Sequence, residues 1–167
     1  VDCLDLYLLH WRGAVPFEET VEAVERLREQ GKIRHWGVSN LDIGDMRELR
    51  ALPGGEGVAV NQVLYNLSRR GVEWGLLPWC EEHKIPVMAY SSVEQARLLS
   101  HPGLRALAGK HGGTPAQLAL AWLLGRDQVI VIPKASTRAH LEENFAALEC
   151  PLDDATLAEL DRLFPPP

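Results

Sequence analysis

The chain has 167 residues, 46% of them apolar, and a formal net charge of −6. That length supports a real core, and the acidic balance argues against a nucleic-acid or anionic-membrane surface while leaving room for a local phosphate site. Cys3, Cys80 and Cys150 are scattered and odd in number, which fits reduced core thiols of a cytoplasmic protein and lacks zinc-site spacing; no stretch nears the roughly 18 apolar residues of a membrane span, and no signal peptide is read.

In chain order, CLDLYLLH (3–10) is a strand-like run that ends on His10 and Trp11. PFEETVEAVERLREQG (16–31) opens on Pro16, carries acids in its first turn and has Gly31 past its end, which predicts a helix. HWGVSN (35–40) is a second strand and LDIGDMRELRAL (41–52) a second helix. VAVNQVLYN (58–66) is a strand, VEWGLLPWCEEHK (72–84) a helix bent or stepped at Pro78, and IPVMAYSS (85–92) a strand. TPAQLALAWLLG (114–125) has Thr114 as N-cap, Pro115 at the first helical position and Gly125 at its end. QVIVIP (128–133), ASTRAHLEENFAAL (135–148) and LDDATLAELDRLF (152–164, capped by Asp153) read as strand, helix and helix.

The pattern is β-α repeated five times plus a terminal helix, which argues for parallel strands with right-handed crossovers. No long linker divides it. An open doubly wound sheet should begin with a strand and a G-x-G-x-x-G turn, and none is present. A full (β/α)8 barrel needs roughly 250 residues, so five units of one fit the length.

In either architecture ligands gather at the carboxyl ends of the strands. Those ends carry His10-Trp11, Ser39-Asn40, Gln62, Tyr90-Ser91 and Lys134. Each alone has an ordinary explanation: a capped histidine, a turn, a backbone-satisfying amide, a core tyrosine, a solvated lysine. Five in register weaken the coincidence. Ser39, Asn40 and Gln62 suit a carboxamide, Tyr90 a planar ring, and Lys134 before a helix start a phosphate. Together these describe a nicotinamide dinucleotide. His10 can donate a hydrogen bond to a carbonyl oxygen that gains charge on reduction, and Trp11 can wall a small substrate.

The stretches DLYLLHW (5–11), GKIRHWGVSN (31–40), VNQVLYN (60–66), LLPWCEEHKIPVMAYS (76–91), TPAQLALAWLL (114–124) and IPKASTRAHLEEN (132–144) resemble the aldo-keto reductases, in particular a bacterial branch with methylglyoxal reductases and relatives of diketogluconate reductases. The resemblance implies an α/β fold, here a partial (β/α)8 TIM barrel equivalent to strands four to eight. It implies that residues 1–167 are the C-terminal part of an NADPH-dependent oxidoreductase domain reducing small aldehydes and ketones, with NADH as the alternative cofactor. The family's active site is an Asp, a Tyr, a Lys and a His. By motif match His10 is that histidine, and the other three would sit on earlier units.

The same resemblance assigns Ser39, Asn40 and Gln62 to the carboxamide and Tyr90 to ring stacking. Ser91 and Val93 fall to the pyrophosphate loop, Lys134, Ser136, Thr137 and His140 to the adenosine phosphate, and Glu143 and Asn144 to the adenine. Three features depart from the family: the units that would carry its Asp, Tyr and Lys are absent, His140 stands where an arginine is frequent, and Ser92-Val93 replaces Pro-Leu. The tail after Phe164 is also short, which favours an open site. The chain alone is therefore expected to be catalytically incomplete, with self-association through exposed sheet edges. The alternatives are a nucleotide-binding regulatory module of the same fold and an inactive fragment.

Overall fold

The computed structural model describes residues 1–167. The chain forms two compact units, one of residues 1–63 and 75–87, the other of residues 64–74 and 88–167.

The first unit carries β1 (Leu4–Leu9), α1 (Phe17–Glu29), β2 (Ile33–Ser39), α2 (Ile43–Arg50), β3 (Val58–Leu64, its last residue in the second unit) and α3 (Leu76–Glu82). β2 pairs in parallel with β1 on one side and with β3 on the other. The helical period of α1 puts Phe17, Val21 and Val24 on its buried face. They join Trp36, Val38, Met46, Leu49 and Val60 in a core where each large side chain contributes about 1.5–3 kcal/mol. Trp36 buries its ring by donating Nε1–H to Glu25 Oε1 at 2.5 Å. In mid-β2, a Cβ on Gly37 would lie 2.7 Å from the Val60 carbonyl oxygen and 2.8 Å from Leu8 Cδ2, so only glycine lets the strands close up there.

The second unit carries all but the first residue of β4 (Val87–Tyr90), then α4 (Pro102–Lys110), α5 (Pro115–Leu124), β5 (Val129–Val131), α6 (Arg138–Phe145) and α7 (Asp154–Leu163). β4 and β5 are neighbours in the sheet. α5 is apolar on every side, and Leu118 to Leu123 are all buried, as such a helix must be. Its start is the expected one: Thr114 and Gln117 form a reciprocal capping box with Pro115 next to the cap. Asp153 caps α7 by accepting from Thr156 N at 2.8 Å.

Three expectations are corrected. β2 begins at Ile33, two residues before the run HWGVSN. The stretch 72–84 does not bend at Pro78. It breaks at Gly75, between a 3₁₀ turn over Gly71–Trp74 and α3, and Pro78 sits in the first turn of α3, where no backbone donor is needed. Residues 102–110 form a helix that the pattern did not announce.

Burial decides cysteine chemistry. Cys3 and Cys150 are partly exposed, whereas Cys80 is buried and burial, with a smaller contribution from Glu81, pushes its thiol up to about 11. The folded thiol thus ionises later than the unfolded one, near 9. Below pH 9 its stabilising contribution is complete, and it is lost as pH rises through 11. The thermal midpoint should therefore fall faster between pH 9 and 11 for the wild type than for Cys80→Ala. Parallel curves would contradict this assignment.

Candidate functional site

In the first unit the parallel register aligns the strand ends. Leu9 pairs with Val38, Val38 with Asn61, and Ser39 with Gln62. His10 therefore follows β1 at the level where Ser39 ends β2 and Gln62 lies opposite it on β3. Ser39 is buried and donates Oγ–H to the Gln62 carbonyl at 2.8 Å, while its oxygen accepts from Asn40 Nδ2 at 3.0 Å. Asn40 turns left-handed, with φ at 60°, and its own N–H also reaches the Gln62 carbonyl, at 2.8 Å. Its Nδ2 additionally donates to the His10 carbonyl at 3.2 Å. Asn40 thus ties the His10 backbone to Ser39 through its side-chain amide and to Gln62 through its backbone N–H.

His10 and Trp11 are exposed, their rings tilted at 46° with centroids 5.6 Å apart. The loop behind them is held by Arg12, which forks onto both oxygens of Glu48 at 2.7 Å, reaches Asp45, and lies 4.2 Å over the Phe17 ring. His10 and Trp11 line a hollow of about 660 Å³ together with Val15, Phe17 and Tyr7.

In the second unit Tyr90 ends β4 half-buried. After it, Ser91, Glu94, Gln95 and Ala96 all take positive φ, between 48° and 71°. None is glycine, so each costs about 1–2 kcal/mol. The cost is offset by a polar clamp. Asn66, fully buried, donates Nδ2–H to the Ser91 carbonyl at 2.9 Å and to Glu94 Oε2 at 2.8 Å, and Arg69 Nε donates to Glu94 Oε1 at 3.0 Å. Burial opposes the Glu94 charge, but the hydrogen bonds from Asn66 and Arg69 outweigh it and hold the carboxyl below its usual range. Ser92 donates to the Ala89 carbonyl at 3.1 Å, and Val93 is half-buried within the same segment.

Lys134, Ser136, Thr137 and His140 are exposed around the start of α6. Thr137 caps that helix by accepting from the His140 N–H at 3.2 Å, and no acid lies in its first turn. Glu143 and Asn144 are half-buried, and the Glu143 carbonyl accepts from Gln117 Nε2 at 3.4 Å, which ties α6 to α5. The structure therefore gathers His10, Trp11, Ser39, Asn40 and Gln62 in one unit and Tyr90, Ser91, Val93 and the residues from Lys134 to Asn144 in the other.

Sequence reading missed Arg12, Asn66, Arg69, Glu94 and Arg138. Arg138 is the first residue of α6, highly exposed, and pairs with Glu142 at 2.7 Å. Its signal was present in the string STR. No helix is long and apolar enough to cross a membrane.

The family model described as the aldo/keto reductase family matches residues 1–164. The chain is 53% identical to methylglyoxal reductase YeaE of Escherichia coli strain K12, over 99% of this chain and 60% of that protein. It is 34% identical to glyoxal reductase of Bacillus subtilis strain 168, over 98% of this chain and 58% of that one. Among solved structures, an aldo/keto reductase from Klebsiella pneumoniae in complex with NADP and acetate superposes with a TM-score of 0.97 at 52% identity, covering 99% of this chain and 60% of that chain. The thermostable aldo-keto reductase Tm1743, solved with epalrestat, gives 0.89 at 37% identity, with 97% and 60% covered. The chain thus spans about three fifths of the length of these relatives. Likeness of this degree bears out the expected α/β fold of five parallel strands, part of a (β/α)8 barrel.

Proposed function

Because the chain belongs to the aldo/keto reductase family, we propose that its 167 residues are the C-terminal part of an NADPH-dependent reductase that turns small aldehydes and ketones, such as methylglyoxal, into alcohols. The observation that carries the reading is the row formed by His10 after β1, Ser39 at the end of β2 and Gln62 opposite it on β3, laced together by Asn40. The methylglyoxal and glyoxal reductases among the relatives, and the NADP of the Klebsiella structure, support the substrate class and the cofactor.

The donor set fits a nicotinamide dinucleotide. Ser39, Asn40 and Gln62 would hold the carboxamide, Tyr90 would stack under the ring, and Ser91 and Val93 would border the pyrophosphate. Lys134, Ser136, Thr137, Arg138 and His140 surround a helix start that carries no acid, which suits a phosphate. Glu143 and Asn144 would meet the adenine. When bound, the cofactor supplies the hydride. His10 donates a hydrogen bond to the carbonyl oxygen of the substrate, orienting it and stabilising the charge it gains. Trp11, more than half exposed beside it, gives that substrate an apolar wall. An exposed imidazole at His140 offers no fork to a 2′-phosphate, so Lys134 and Arg138 carry more of the discrimination between NADPH and NADH.

Titration of the 167-residue chain with NADPH, read by calorimetry, tests the reading. Lys134→Ala should weaken binding about tenfold, the worth of one charge-assisted phosphate contact. The loss should be smaller for NADH. Absence of NADPH binding, or equal losses for the two cofactors, would count against the assignment.

A further inference from the structure

α2 sorts its charges by side. Asp45 and Glu48 both turn to Arg12, whereas Arg47 and Arg50 form no ion pair. These two arginines line an open hollow of about 480 Å³ with Ala51, Trp79, Glu82 and His83, all within the first unit. Trp79 is largely buried beneath it, and the His83 ring stacks on Trp79 with centroids 4.0 Å apart and planes at 22°. His83 Nδ1 is engaged with the Trp79 carbonyl at 2.7 Å, which leaves Nε2 as the other polar atom of the ring. The Arg50 guanidinium lies 6.0 Å from the Trp79 ring centre, and its Nε is buried with no acceptor in the protein.

Arginines in a last turn ordinarily answer the carbonyl end of their helix. That accounts for their positive charge. It does not account for two unpaired guanidinia converging on one hollow of a chain whose net charge is −6. Glu82 is the single acid in the lining, so two guanidinia against one carboxylate leave the hollow positive. Fork donors of this kind match an anion with several oxygens.

We propose that this hollow is a phosphate-binding site formed by Arg47, Arg50 and His83 over Trp79, separate from the strand-end residues assigned to the reductase. The shared chemistry is a phosphate group, and the source is either the free ion or a small phosphate monoester.

The test is a titration of the full 167-residue chain with inorganic phosphate and, separately, with phenyl phosphate, at constant ionic strength set with chloride. The nitrogen-bound proton signals of the Arg47 and Arg50 side chains and the Trp79 indole are followed by NMR. Saturable shifts at these groups are expected, with affinity at least tenfold weaker in R47Q/R50Q and intermediate in R47K/R50K, which keeps the charge but loses the fork. The exposed single variant R47Q, weakened about threefold, guards against misfolding of the double one. Tighter binding of phenyl phosphate than of phosphate assigns a monoester, and equal binding assigns the free ion. Linear, non-saturating shifts, or an equal Trp79 indole shift in R47Q/R50Q, overturn the proposal.

Discussion

Arg70→Ala should cost about 3–5 kcal/mol of stability, the penalty for stranding a buried charge by deleting its partner. The Arg70 side chain is only 6% exposed. It donates through Nε and Nη2 to the two oxygens of Glu73 at 2.8 Å, and through Nη1 to Asp161 at 2.6 Å and to the Phe164 carbonyl at 2.8 Å. Its guanidinium also lies 5.0 Å over Trp122. Burial works against this charge, but the hydrogen bonds of Glu73 and Asp161 outweigh it and raise the pKa above its ordinary value. Glu73 in turn accepts the Tyr65 hydroxyl at 2.9 Å. Alanine would leave the mostly buried Glu73 carboxylate facing Asp161 with no cation between them. Urea unfolding at pH 7 measures the loss. Arg70→Met combined with Glu73→Leu should recover much of it, because that pair removes both charges at similar volume. A loss below 1 kcal/mol for Arg70→Ala would refute this account of the cluster.

Turnover of methylglyoxal by the 167-residue chain with NADPH should not exceed the uncatalysed rate. His10 can orient and polarise a carbonyl, but the alkoxide needs a positioned proton donor, a contribution of about 10²–10⁴-fold. The two tyrosines besides Tyr90 do not fill that role. Tyr65 is committed to Glu73, and burial first, then that hydrogen bond, push its hydroxyl above the ordinary tyrosine range. Tyr7 is 47% exposed on β1 and borders the His10 hollow from the strand itself. The assay is NADPH oxidation by purified chain, with His10→Ala and Tyr7→Phe beside it. Turnover that Tyr7→Phe abolishes would make Tyr7 the acid and overturn the incomplete-site reading. Sedimentation of the same sample should show a mass rising with concentration, since Leu4, Tyr7 and Trp11 in one unit and Leu141, Phe145 and Leu148 in the other are exposed apolar side chains. A monodisperse monomer would remove self-association from the account.

The strand ends were legible because parallel strands in βα order send their carboxyl ends to one side, so polar residues such as Ser39 and Gln62 could be placed before any coordinates. Local caps were legible for the same kind of reason: Thr114 with Gln117 and Asp153 with Thr156 lie three residues apart and need no tertiary context. The helix over 102–110 was hidden because its cap is His101, which accepts from Leu104 N through Nδ1 and belongs to no ordinary start signal, and because Gly103 and Gly109 lower its propensity. The left-handed run at 94–96 has no glycine or asparagine to announce it; what holds it is Asn66, 28 residues from Glu94. Arg12 was likewise silent, since its partners Asp45 and Glu48 are 33 and 36 residues away. Contacts of that span are fixed by packing, which pattern alone does not reveal.

The backbone passes between the two compact units after Val63, after Trp74 and after Val87. For inheritance, this means that no single recombination breakpoint parts the two units without cutting one of them. A junction anywhere between 64 and 87 splits both, parting Gly75–Val87 from the rest of its own unit or Leu64–Trp74 from its own. Both units are therefore handed on whole only when the chain passes as a block. An engineer wanting the second unit by itself must rewire the chain, joining Trp74 to Met88 with a new linker, instead of only trimming an end.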